Sequence, residues 1–422
     1  MSDIISRLTL QRPVSLQSSV SSDTLETELL PKSREKVGFV RQYTLVTLTL
    51  MGFGQIIGTG VYSLTGPAAH LTGSSVALCY AFTGCVALLT ATIYAEFASL
   101  VPKSGSSYLY TYCILGEGPA WIVAHNQIFG QICSNSLVAR GLSSYAGKLA
   151  ASLGFNVAWL FKYQWGNFEI SFFSMITLVI VTCVHNSGTK ASGHVNSAIN
   201  IVKLLTLAVM IVAAFANFDS KYLTPFLAKE DPAYGFLEAS TILYFCFTGW
   251  EAVTTMSEEA VDPVLDIPRA IIFAEVASTA IYVLVALGCN GLADLSQSED
   301  GGHTAISDAF ENVGLKWMAT VIQVIAMLGM FCNLLSTAIA LSRFLYNTAK
   351  DGLHFPILAR MSSSTQVPVI SAALACIPQC VLAGMFDIRI LAKVTTACLL
   401  ITYSMIDSSV LLHRFREVGN PR

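Results

Sequence analysis

Charge is what this chain has least of. Asp, Glu, Lys and Arg make up 12% of its 422 residues, where a soluble chain carries about a quarter. That scarcity excludes an ordinary soluble domain. No P-loop, no G-x-S-x-G elbow and no basic patch of the nucleic-acid type is present, so an enzyme reading has no motif beneath it and neither a cofactor nor a nucleic-acid partner is expected. The seven histidines (70, 125, 185, 194, 303, 354 and 413) are scattered without ligand spacing, and no metal site is expected. Most of the eleven cysteines, Cys79, Cys85, Cys246, Cys332 and Cys398 among them, fall inside apolar runs, where thiols behave as small hydrophobes. Cys376 and Cys380 share a helix face with no His or carboxylate nearby in sequence, which leaves a metal or redox role unsupported. No apolar core follows the N-terminus, so no cleavable signal peptide is expected.

What is abundant is apolar surface: 54% hydrophobic residues and a mean hydropathy of +0.60. Residues 1–36 are polar and rich in Ser and Thr, and read as a disordered cytosolic tail. Ten apolar segments follow, at about 41–65, 75–101, 118–147, 170–186, 195–217, 234–260, 269–293, 316–348, 367–386 and 389–413. Each reaches or approaches the roughly 20 residues that a spanning helix needs, which predicts a polytopic all-α membrane protein embedded in a lipid bilayer. The first five segments cover 177 residues (41–217) and the last five 180 (234–413). Near-equal halves that each open on an interrupted helix predict an inverted repeat of five plus five, with repeats at 37–217 and 218–416 and a short cytosolic end at 417–422. With the N-terminus inside, fifteen Lys and Arg lie on the cytosolic side and six outside; that bias places both termini in the cytosol.

Residues 50–66, LMGFGQIIGTGVYSLTG, carry five glycines between Gly52 and Gly66 inside a run long enough to span. Each interior glycine costs a helix about 1 kcal/mol relative to alanine. In lipid, a break of this kind is tolerable only where it lines a cavity or a partner surface. Broken spanning helices hold substrate at mid-membrane in many secondary transporters, with free N–H groups toward a carboxylate and free carbonyls toward a cation. Close helix packing is the alternative, although packing glycines usually keep one face at a spacing of four. A dinucleotide fingerprint is excluded by spacing and by the lack of a βαβ context.

A second interrupted stretch, YFCFTGWEAVTTMSEEAVDPVLDIP at 244–268, places Glu251 within a span. A buried acid there is either functional or hydrogen-bonded to another helix. Glu258 and Glu259 read as a solvated helix end or an inner gate. Lys203 sits about ten residues into the fifth segment, where an unpaired ammonium costs about 3 kcal/mol. It is read as a proton carrier or, alternatively, as a permanent ion-pair partner of Glu251.

These residues resemble the cationic amino acid transporters of the amino acid–polyamine–organocation superfamily. The resemblance runs from about Arg41 to Arg416 on GxGxxxGxGVY (52–62), YAEFASLVPKSGSSYLYTYCILGE (94–117), SLVARG (136–141), FTGWEAVTTMSEEAVDP (247–263) and SRFLYNTAKDGL (342–353). It implies the leucine-transporter-type fold, ten transmembrane helices with helices 1 and 6 broken. It implies a secondary active transporter of cationic amino acids (arginine, lysine, ornithine) working by alternating access, with proton symport through Lys203. Gly58, Thr59 and Gly60 would face the α-carboxylate. Ile56 with Phe245, Cys246, Phe247, Thr248, Gly249 and Glu251 would complete the substrate site. The plasma membrane is the expected location, with endosomal and vacuolar membranes as alternatives. Two departures from the family qualify this. Lys203 stands where the animal members have a neutral residue, and the chain ends after ten helices where twelve or fourteen are usual. The competing readings are an uncoupled uniporter or exchanger, and a truncated, non-transporting amino acid sensor.

Overall fold

The structure, a computed structural model, describes residues 43–100, 106–155, 157–165, 168–187, 193–224, 226–227, 231–255, 260–298, 302–362, 365 and 367–419. The expected N-terminal tail (1–36), Glu258 and Glu259 lie outside the described residues. The fold is helical throughout, with a single two-stranded ribbon among the described residues.

The first apolar segment is two helices, α1 (Leu45–Ile56) and α2 (Thr59–Thr72), separated at Ile57 and Gly58. Gly73, at φ +66°, then turns the chain into α3 (Val76–Leu100). A short α4 (Ser106–Leu115) leads through Gly116, at φ +94°, into α5 (Glu117–Ser152). Strands β1 (Tyr163–Trp165) and β2 (Phe168–Ile170) pair antiparallel with Tyr163 opposite Ile170. They precede α6 (Phe172–Asn186), which is capped by Ser171, and α7 (Gly193–Ala216).

The second half opens on α8 (Pro232–Tyr244), a tight 3-10 turn at Phe245–Phe247, and a short α9 (Glu251–Thr255). Helix α10 (Pro263–Asn290) starts on Asp262, whose carboxylate accepts from the Leu265 N–H at 3.3 Å, with proline at its first position. Helices α11 (Ala305–Asn312), α12 (Lys316–Lys350), α13 (Val369–Met385) and α14 (Ile388–Gly419) complete the chain. Among the described residues, each of the ten apolar segments overlaps a helix or a broken pair. Four stretches among the described residues are long and apolar enough to cross a membrane, Thr59–Glu96, Pro263–Asn290, Lys316–Lys350 and Ile388–Leu412. Gly73 divides the first of them into two helices.

Large apolar side chains such as Val46, Leu89, Val212 and Ile377 face outward, while Ser63, Asn135, Ser136 and Ser174 are buried. Such a surface suits hydrocarbon, where helices are held by small residues and interhelical hydrogen bonds. Ser136 Oγ donates to Gln379 O at 3.0 Å, joining α5 to α13. Ser174 Oγ donates to Ala383 O at 3.0 Å, joining α6 to the same helix. Helix α10 packs along α1 and α3, and α5 packs along α12 and α14. The two broken segments are thereby enclosed between these two groups of helices.

Candidate binding site between two broken helices

The first break follows from the backbone of Gly58. Its N–H turns back to Ile56 O at 2.8 Å, so Gly54 O loses the donor four residues on that a continuous helix would supply. Lys203, arriving from α7, replaces it: Nζ donates to Gly54 O at 3.0 Å and to Ile57 O at 2.9 Å. A cation at a helix C-terminus also matches the negative end of the dipole. Among the described residues no carboxylate pairs with Lys203, so the alternative of an ion pair to Glu251 is not what the structure contains. On the other side of the break, α2 begins with no side-chain cap, and its first N–H groups are without helical partners.

The second break lies against the first. Thr248 is extended (φ −96°, ψ 151°) and Gly249 has φ +130°, a conformation that L side chains rarely adopt. A Cβ on Gly249 would also come within 2.9 Å of the Gln55 carbonyl carbon. One on Gly60 would lie 2.6 Å from Cys246 Sγ and 2.9 Å from Cys246 Cα. Tyr282 of α10 stands between the two breaks, its hydroxyl 2.7 Å from Ile56 O and 3.0 Å from Cys246 O.

A cavity of about 110 Å³ opens where the breaks meet. Ile56, Gly58, Thr59, Gly60, Phe245, Cys246, Thr248, Gly249 and Glu251 all line it, so the structure brings nearly all the expected substrate residues to one wall. Phe247 is the exception, packing instead against Tyr80 and Tyr282 with ring centroids 6.1 and 5.2 Å away. Lys203 also lies off the wall, behind the first break. It passes over Gly329 of α12, where a Cβ would meet its Cδ at 2.8 Å.

The opposite wall was missed in the sequence. It is made by Asn126, Gln127, Gln131 and Ser134 of α5, Asn333 and Thr337 of α12, and Thr395 and Thr402 of α14. Gln127, Gln131 and Ser134 are spaced four and three apart in an apolar run, a helical stripe that could have been read. Thr59 Oγ1, Gln127 Oε1, Gln131 Oε1 and Glu251 Oε1 are buried and have no hydrogen-bond partner among the described residues. Buried polar atoms are ordinarily satisfied, so a wall of them waits for a polar ligand or water. Glu251 carries the only charge among the described residues that line this cavity. Glu275 of α10, also missed, is fully buried away from the cavity, with neither carboxylate oxygen partnered among the described residues.

The sequence profile of the amino acid permease family matches residues 43–422. The chain belongs to that family. A branched-chain amino acid permease of Bacillus subtilis, BcaP, is 28% identical over 94% of this chain and 85% of its own length. Cationic amino acid transporter 5 of Arabidopsis thaliana is 28% identical over 87% of this chain. Cationic amino acid transporter 4 of Mus musculus is 26% identical over 93% of this chain. The chain spans 64% of the plant transporter's length and 62% of the mouse one's. These are transporters and not enzymes, and with its apolar helices this member of the family is an integral membrane protein.

Proposed function

We propose that the chain is a secondary active transporter of cationic amino acids working by alternating access, with Lys203 coupling transport to protons. The observation that carries this reading is the charge pattern around the cavity. The uncapped N-terminus of α2 stands on one side, and Glu251 is the one charged group among the described residues that line the cavity. An α-carboxylate suits the free N–H groups of Thr59 and Gly60, and an α-ammonium suits the carbonyls of the second break. That leaves Glu251 to balance a cationic side chain. Gly58 contributes shape rather than a donor, since its N–H is already bonded.

In this reading the ten helical segments span the membrane as two five-helix repeats, 37–217 and 218–416. Segments one and six are broken, and the ends at 1–36 and 417–422 are cytosolic. The plasma membrane is the proposed location. With α5 running from the cytosol outward, the cavity draws on the middle of that helix, from Asn126 to Val138, while ion pairs hold its outer end.

The test is counterflow in proteoliposomes with labelled arginine and leucine, for wild type and Glu251→Gln. Arginine should be exchanged in preference to leucine, and Glu251→Gln should narrow the preference. Leucine exchanged in preference to arginine would replace the cationic reading with a neutral one, the class named for the Bacillus relative. Binding without counterflow would mark a sensor.

A further inference from the structure

Further along α5 lies a second cavity, of about 250 Å³, between that helix, the β1–β2 ribbon and the residues leading into α11. About 1.5 Å of helix per residue separates Gln131 of the first cavity from Arg140 and Lys148 of this one. Its wall carries Arg140, Lys148, Lys162, Glu169, His303 and Asp308. Lys162 is exposed, so the cavity meets solvent on that side.

Part of this charge is already matched. Arg140 Nη2 lies 3.2 Å from Glu169 Oε1. Lys148 Nζ lies 3.0 Å from Asp308 Oδ1 and 3.2 Å from Glu311 Oε2. His303 Nε2 lies 3.5 Å from Asp387 Oδ2. The atoms left over point to a ligand. Arg140 and His303 are each 7% exposed, and Arg140 Nη1 and His303 Nδ1 have no hydrogen-bond partner among the described residues. A guanidinium with one arm on a protein carboxylate and the other arm buried and unpartnered is half of a fork that fits a second carboxylate.

We propose that this cavity binds a small carboxylate on Arg140 Nη1, with His303 as the second polar contact. The volume exceeds that of the first cavity, and Glu169 and Asp308 on the same wall supply acceptors for an ammonium. A free monocarboxylate and the carboxylate of an amino acid zwitterion therefore share the chemistry. The proposal stands apart from the amino acid reading of the first cavity, because acetate alone is the first probe.

The experiment follows the melting temperature of the purified full chain in detergent. Sodium acetate is titrated against sodium chloride at equal ionic strength, and arginine is titrated in a parallel arm. A ligand that binds only the native state raises the melting temperature as its concentration passes Kd. Acetate should do so and chloride should not. Arg140→Lys keeps a cation for Glu169 but lacks the planar fork, and should weaken half-saturation about tenfold, the equivalent of one charge-assisted hydrogen bond. His303→Gln should weaken it as well. An unliganded melting temperature and counterflow equal to wild type would show that Arg140→Lys has folded. Arginine acting where acetate does not, with the same loss in Arg140→Lys, would identify the zwitterion as the source. Three results would overturn the proposal: no shift with either carboxylate, an equal shift with chloride, or unchanged half-saturation in Arg140→Lys.

Discussion

The ammonium of Lys203 lies 2.9 Å from the carbonyl oxygen of Ile57 and 3.0 Å from that of Gly54, and so closes the open end of a broken helix from a neighbouring one. Both carbonyls are orphaned by the turn at Gly58. A charged donor to a buried carbonyl contributes about 1.5–3 kcal/mol, and an ammonium can serve both at once. Loss of its proton would weaken both bonds and free the first broken segment to move relative to α7 and α12. A ligand that prefers one arrangement then shifts the population. Net uptake should rise as external pH falls, and a proton ionophore should cut accumulation. Lys203→Asn should abolish the pH dependence while retaining exchange of substrate for substrate. A pH profile unchanged in Lys203→Asn would leave Lys203 with a structural role only.

Two glycines at the first break should respond differently to one added methyl group. At Gly60 the Cβ would sit 2.9 Å from backbone Cα of Cys246, a contact that only separation of the two breaks can relieve. Gly60→Ala should therefore lower stability by about 1–3 kcal/mol, as overpacking does, with binding lost alongside the fold. At Gly58 the nearest atom is Asn333 Nδ2, 3.3 Å from the built Cβ, and that side chain lines the cavity. Gly58→Ala should keep its melting temperature closer to wild type than Gly60→Ala and show weakened substrate binding. Equal destabilisation in the two variants would make Gly58 a packing residue as well.

The breaks themselves were legible because glycine density in an apolar run has few other uses. The same density concealed the division of labour within it. Gly52 and Gly60 face Val253 and Cys246, residues far away in sequence, so their packing role appears only once the second segment is in place. Both positions pack against the second segment, Gly60 while also lining the cavity, and Gly58 has more room beside it. Glu251 could be read from its acid in a span. Tyr282 could not, because a tyrosine in an apolar helix has many possible partners and its sequence neighbours name none. The ribbon at 163–170 was also missed, since strands of three residues leave too little periodicity to detect.

Tyr282 is where the two breaks share a hydrogen-bond donor, and its removal should be felt at both. Tyr282→Phe keeps the ring contacts with Tyr80 and Phe247 and deletes the hydroxyl that serves Ile56 O and Cys246 O. Ile56 O keeps the Gly58 N–H at 2.8 Å, so the loss falls on Cys246 O, and a buried carbonyl left without a donor costs about 1–3 kcal/mol. The variant should melt lower than wild type, and substrate should bind more weakly because the two breaks are no longer tied. A melting temperature equal to wild type would mean that water replaces the hydroxyl at Cys246 O.

Two carboxyls near the second cavity should respond to acid with opposite sign. Burial pushes Asp387 up, but the His303 ring and the Arg389 backbone N–H, 2.8 Å from Oδ1, push it further the other way, and it lies well below the usual carboxylate range. Burial also pushes Asp308 up, and there Lys148 offsets the shift only in part, so Asp308 lies above its ordinary value. A carboxyl depressed in the native state adds stability above its unfolded value of about 3.9, and that stability is lost as pH falls toward the native value. A raised carboxyl works in reverse, favouring the native state once it is protonated and losing that advantage as pH rises. Asp387→Asn should therefore melt below wild type at neutral pH, with the gap narrowing as the pH drops below about 4. Asp308→Asn should melt at or above wild type at neutral pH, since Lys148 keeps Glu311 as a partner at 3.2 Å. As wild-type Asp308 gains its proton in acid, the comparison should shift in favour of wild type. Melting curves of the three proteins across this pH range check both signs, and variants that move in the same direction would show that one common effect, such as net charge, governs this end of the molecule.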